Sequence, residues 1–348
     1  ALHGAVCSLL PSPGAFDHAI VSLFLNGKIL FVDPTFQGQG GSLTTQVPVP
    51  YESGLIIDHG TVQLTGIERR GPLSSELFIR EDFVIEGVES PMALKVRTEA
   101  RGVAADVMRR QLGEAGKALV DKEFQEQYRS VFKGATHQEP VLWNDDPPEN
   151  LLTVDEVFSI PASVQELEDS KEPVWFQFPA HVIRARMLGI PEENRKAPYA
   201  LPFPDRVRQE IKVQVSWDFP FEPVEHTIEN ESFFVSVKGW KKNSAIFISY
   251  EFHHCKDRVE AGAADAYMEQ LNEVNAHLGF YLPGPPKVSG MRKWFNKRLV
   301  SLSSAASALL FGFFVLPVAL EVGSSGDDSE EFSSAGLASV LPDPASGE

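Results

Sequence analysis

Short apolar runs recur along most of this chain, separated by Gly and Pro before they reach helical length. Proline fixes φ and removes a backbone donor, and glycine favours turns, so this punctuation directs the chain into strands joined by loops. Runs at 62–67, 75–79, 83–85 and 93–99, and again at 154–160, 174–178, 210–217, 233–238 and 245–253, read as strands. Two stretches carry helical periodicity instead. One, over 103–131, spaces Val107, Leu112, Ala115, Leu119 and Phe124 as an approximate stripe; the other, over 263–278, sets Tyr267, Leu271, Val274 and Leu278 on one face. The expectation is an α+β, mainly β chain: a largely antiparallel, β-sandwich-like domain or twisted sheet with a long helix packed on one side. The aromatics of 174–179 and 217–221 are assigned to packing rather than to a ligand groove.

Asn26-Gly27 is the sharpest single turn signal, because it lies between two apolar runs and both residues tolerate the positive φ that a two-residue type I′ turn demands. That turn sets Leu25 opposite Lys28. Counting outward, Ile20 faces Asp33 and His18 faces Thr35, so His18 and Asp33 become diagonal neighbours on one face. Such neighbours lie roughly 7 Å apart at the backbone, within side-chain bonding reach. An Asp placed there can fix the tautomer of a His and stabilise its charged form, as in a nucleophile-His-Asp relay; a turn-forming Asp before Pro34 is the plainer alternative.

The text around the pair is similar to a known family. Leu10-Pro11-Ser12-Pro13-Gly14-Ala15-Phe16-Asp17-His18-Ala19-Ile20-Val21, Asn26-Gly27-Lys28, Phe31-Val32-Asp33-Pro34-Thr35 and Gln39-Gly40-Gly41 resemble the second half of a transglutaminase-like core, with its Cys-His-Asp site. The closest resemblance is to bacterial members with flanking β-rich domains of unassigned function. Ala104-Ala105-Asp106-Val107-Met108-Arg109-Arg110, Asn144-Asp145-Asp146-Pro147 and 195–202 resemble the downstream region of that subfamily, so the likeness runs from about residue 8 to about residue 282. The resemblance implies His18 as general base, Asp33 as its orienting acid and a peptide or protein amide as substrate, with no cofactor and no metal. It also implies a nucleophilic Cys some tens of residues before the His. Only seventeen residues precede His18 and the chain starts at Ala1, so the expectation is a fragment of a longer protein, cut within the core and inactive as given.

Two cysteines are present, and neither fits the nucleophile's place. Cys7 has no helical run to lower its pKa through an N-terminal dipole. Cys255, in His253-His254-Cys255-Lys256-Asp257, carries the letters of the family's Cys-Lys-Asp but follows the pair by more than two hundred residues. His253, Cys255 and Asp257 share the period-two spacing of one strand face, a weak metal signal without a second ligand pair.

A net charge of −17 argues against nucleic acid as the partner, since phosphate binding needs clustered cations. Leu299 to Leu320 is uncharged and rich in Ala, Leu, Phe and Val; at about 1.5 Å per residue it would reach about 33 Å as a helix, enough to cross a bilayer. The expected organisation is the C-terminal part of a transglutaminase-like core (1–58), a β-rich domain (59–282), a basic linker (283–298), a single membrane helix (299–320) and an acidic disordered tail (321–348). Arg292, Lys293, Lys297 and Arg298 before the span place the large domain in the cytoplasm by the positive-inside rule, whereas the resemblance implies the periplasm. A non-catalytic β-rich scaffold or binding module at a membrane is the alternative function.

Overall fold

In a computed structural model, the described residues are 5–8, 10, 12–16, 18–43, 46, 47, 49, 51–67, 75–162, 175–187, 189 and 196–285. The expected membrane span, the acidic tail and the linker from 286 onward lie outside them. No helix among the described residues is long and apolar enough to cross a membrane.

The chain is mainly β. Its centre is a nine-stranded sheet in the order β13-β14-β15-β12-β5-β6-β9-β7, with β8 also pairing β9. The longest members are β5 (Ser75–Ile85), β6 (Met92–Gly102), β9 (Leu151–Ile160), β12 (Arg206–Val215), β14 (Phe233–Lys242) and β15 (Ala245–His254), flanked by β13 (Val224–Glu229), β7 (Thr136–His137) and β8 (Leu142–Asp146). Every pairing is antiparallel except β12 with β5. Burial alternates along these strands: in β12, Val207, Gln209, Ile211, Val213 and Val215 are buried, while Arg206, Arg208, Glu210, Lys212 and Gln214 face outward.

One face therefore forms the core. It is covered by α1 (Val103–Ala115), α2 (Lys117–Val131), α3 (His181–Arg186) and α4 (Ala264–Asn275), through contacts such as Phe233 with Tyr267 and Phe83 with Phe132. The other face is a lattice of charges, with cross-strand pairs Arg206–Glu251 at 2.7 Å, Arg97–Asp155 at 3.2 Å and Arg80–Glu210 at 3.4 Å. A sheet with one charged face offers no second apolar face for another sheet. Of the two expected arrangements, that selects one sheet under a layer of helices over the sandwich.

Three local expectations change as well. The single helix over 103–131 is two helices broken at Gly116, whose φ of +80° ends α1; beyond it Val120, Phe124 and Tyr128 turn inward and Leu119 is left exposed. The runs 75–79 and 83–85 are one strand, because the intervening Glu81 is buried rather than looped out. In the expected strand 62–67, only Thr65–Gly66 is extended, as β4 pairing β3 (Ser53–Gly54). The helix expected over 263–278 is α4, Ala264–Asn275, with Tyr267, Leu271 and Val274 buried on its face and Leu278 buried beyond its end.

The core is unusually polar at its centre. Glu81 is fully buried, accepting from Tyr128 Oη at 2.8 Å and Gln209 Nε2 at 2.7 Å, with His181 Nε2 at 3.7 Å from its other approach. Two strands away, buried Glu156 pairs with His137 Nε2 at 2.9 Å. Burial pushes the Glu156 carboxyl above the ordinary carboxylate range, against the bond and charge of His137, and Asp121 adds to the push. A carboxyl that holds its proton more readily folded than unfolded removes stability as the pH rises from its unfolded to its folded midpoint, by about 1.4 kcal/mol for each pH unit between them. Glu156→Gln has no such titration. Urea unfolding across that window should show the stability difference moving in favour of E156Q as the pH rises; a difference constant with pH would refute it.

Candidate catalytic site

The N-terminal unit is built on a two-stranded ribbon, β1 (Val21–Leu25) and β2 (Lys28–Val32). Asn26 and Gly27 hold φ of 51° and 77°, as a type I′ turn requires, and the register sets Leu25 against Lys28 and Val21 against Val32. Continued one step, that register brings Asp33 across from Ile20 and diagonal to His18.

The side chains meet. His18 Nε2 lies 2.8 Å from Asp33 Oδ2. The second carboxylate oxygen, Oδ1, accepts from the Thr35 backbone N–H at 3.0 Å and from Thr35 Oγ1 at 2.6 Å. Asp33 is 8% exposed, whereas the His18 side chain keeps 32% of its surface open. Burial pushes the Asp33 carboxyl up, but the two Thr35 bonds and His18 together outweigh it and leave the group below its ordinary value. Asp33 is thus held as an anion against the imidazole, and the ring of Tyr51 stacks on His18 with centroids 5.7 Å apart. With Nε2–H donated to Asp33, Nδ1 is the nitrogen available as a base, and it makes no hydrogen bond among the described residues.

Neither cysteine sits in bonding contact with His18. Cys7 is exposed and its thiol donates to Ser53 Oγ at 3.5 Å, in the segment that also carries Tyr51. Cys255 follows β15, four strands across the sheet from β9, and burial followed by the charge of Glu229 pushes its thiol up, away from the reactive thiolate. Among the described residues, no group of three His, Cys, Asp or Glu is placed to hold a metal ion, His253-Cys255-Asp257 included.

Counting the register sets Thr35 opposite His18 but assigns no site role to it or to Tyr51, and the joint that fixes the ribbon to the sheet was not singled out at all. Gly40 N–H donates to Asp106 Oδ1 at 2.9 Å, and Gly41 N–H to Pro147 O at 2.6 Å. Arg109 gathers the rest. Its Nη1 donates to Asn150 Oδ1 (2.6 Å), Asp106 Oδ1 (3.1 Å) and Gly38 O (3.3 Å), and its Nε to Asp145 Oδ1 (2.9 Å). Burial pushes the Asp106 carboxyl up, opposed by Gly40 N–H, Asn150 and Arg109. A Cβ at Gly38, where φ is +81°, would stand 2.8 Å from Asp106 O, so that position demands glycine, and one at Gly40 would stand 2.5 Å from Asn150 Oδ1 and would push the Asn150 and Arg109 side-chain ends aside. The available signal was the Gly38-x-Gly40-Gly41 spacing together with segments 104–110 and 144–147, which the fold brings to one place. No family model, curated protein or solved structure matches this chain.

Proposed function

We propose that this chain is part of a membrane-anchored, transglutaminase-like thiol enzyme acting on a peptide or protein amide. His18 is the general base and Asp33 the acid that orients it; the nucleophile is a cysteine ahead of Ala1. The supporting observation is the 2.8 Å His18–Asp33 contact with Thr35 holding the far carboxylate oxygen, which leaves Nδ1 as the working nitrogen. In the proposed reaction Nδ1 takes the thiol proton, and the thiolate attacks the amide carbonyl. The tetrahedral intermediate collapses by breaking the C–N bond. The imidazolium returns its proton to the departing amine; water or a second amine then attacks the thioester with Nδ1 again accepting a proton, the C–S bond breaks, and the imidazolium reprotonates the departing thiolate. No cofactor enters. Leu299 to Leu320 is the proposed anchor; the resemblance favours a periplasmic domain and the flanking charges a cytoplasmic one.

The second reading is a non-catalytic β-rich binding module, favoured by the absence of a thiol against His18 among the described residues. The reading frame ahead of Ala1 separates the two: a Cys in a Cys-Lys-Asp or Cys-Trp setting supports the enzyme, and another residue in its place supports the module. The 348-residue chain itself should turn over no amide or transglutaminase substrate. Thiol-dependent turnover that survives C255S but not C7S would instead make Cys7 the nucleophile.

A further inference from the structure

We infer that Arg109, with Asp106, Asp145 and Asn150, forms a clamp that positions the His18–Asp33 pair from outside the site, by holding the arm 34–41 that runs from Asp33 to the sheet. This rests on the reading of the pair as a general base and its orienting acid.

Among the described residues the ribbon β1–β2 pairs with no other strand, and its residues Phe24, Leu25 and Ile29 are exposed. Isolated two-stranded ribbons are marginal in water, so the ribbon does not by itself hold Asp33 at a fixed place. The restraint comes from the chain just after it. Thr35 binds the carboxylate, Phe36 N–H donates to Asp33 O at 3.4 Å, and the guanidinium of Arg110 lies 5.3 Å over the Phe36 ring. Gly38 and Gly40 then seat on Asp106, Arg109 and Asn150, and Gly41 on Pro147.

Arg109 is the piece that unites these bonds. Its side chain is 11% exposed, and one rigid guanidinium plane reaches the arm, the first turn of α1, the end of β8 and the residue before β9. A lysine keeps the charge but cannot span these acceptors. Loosening the clamp frees the arm, and with it the angle at which Oδ2 meets Nε2. Arg109 and its partners touch no reacting atom, so their role is positioning.

The test is the tautomer of His18 in the 348-residue chain, read from imidazole 15N shifts where the ring is neutral. In the wild type the proton sits on Nε2, and in D33N it should move to Nδ1. R109K and D145A should lower the Nε2–H to Nδ1–H ratio at His18 by about threefold or more, the size expected for coupled neighbours. His137, bound to Glu156 in the sheet, is the internal control and should not change. Asp145 has a side chain 40% exposed, so D145A reports even where R109K fails to fold. Wild-type ratios in both R109K and D145A beside an inverted D33N would overturn the clamp and leave the pair standing. A D33N chain with the wild-type tautomer would overturn the pair, and the clamp with it.

Discussion

Asp33→Asn is expected to lower kcat by about 10⁴-fold in the thiol-bearing form of the protein, the loss seen for the same substitution in a serine-protease relay. The reason here is specific to Thr35. Its backbone N–H and hydroxyl both point at Oδ1, at 3.0 and 2.6 Å, so an amide at position 33 keeps its single oxygen there. The amide nitrogen, a donor only, is then turned toward His18 Nε2 in place of the oxygen that lies at 2.8 Å. Nε2 must become the acceptor and the ring proton moves to Nδ1, the nitrogen that has to take the thiol proton. The base is disabled without any change of shape. Turnover of that form measures the loss, with His18→Ala as the reference for a missing base; a D33N enzyme within tenfold of the wild type would refute the role of Asp33.

The ribbon was legible because its instruction is local. Asn26-Gly27 accepts a backbone that few other dipeptides accept, and once the turn is fixed every pairing up to Asp33 follows by counting. What stayed hidden depends on distant partners. Gly116 falls between Leu112 and Leu119, two residues seven apart, so the apolar stripe stays in phase across the break and conceals it. Glu81 looks like the charged interruption between two short strands. Only Tyr128 and Gln209, far along the chain, make its burial tolerable and the strand continuous. The Arg109 joint is the same case: its contributors are spread from Gly38 to Asn150, and each alone reads as a loop glycine or a solvated charge. The number of layers was likewise beyond local reading, since alternating strands suit a sandwich or a helix-covered sheet equally. The outward charges of β6 and β12 decide for the latter.

Glu81→Leu should cost about 4 kcal/mol of unfolding free energy, because removing one member of a buried charged network strands the others. Tyr128 Oη would lose its acceptor at 2.8 Å, Gln209 Nε2 the shorter of its two contacts, the one at 2.7 Å, keeping only His181 Nδ1 at 3.3 Å, and His181 Nε2, already without a hydrogen bond, the nearby charge. None of these atoms can reach water: Tyr128, His181 and Gln209 are all buried, and Gln209 Oε1 is committed to the Val182 N–H at 3.2 Å. Tyr128→Phe alone should cost about 2 kcal/mol, the usual worth of a bond to a charged acceptor. The two losses are not independent. Once Glu81 is gone, the phenol is an unsatisfied polar group, and deleting its hydroxyl removes a penalty instead of adding one. The double variant E81L/Y128F should therefore be more stable than the sum of the single losses by about 1 kcal/mol or more in urea unfolding. Additivity of the two would show that the hydroxyl finds another partner when Glu81 is absent, and that the strand through residue 81 is held by its apolar neighbours Phe83 and Ile79 rather than by the network.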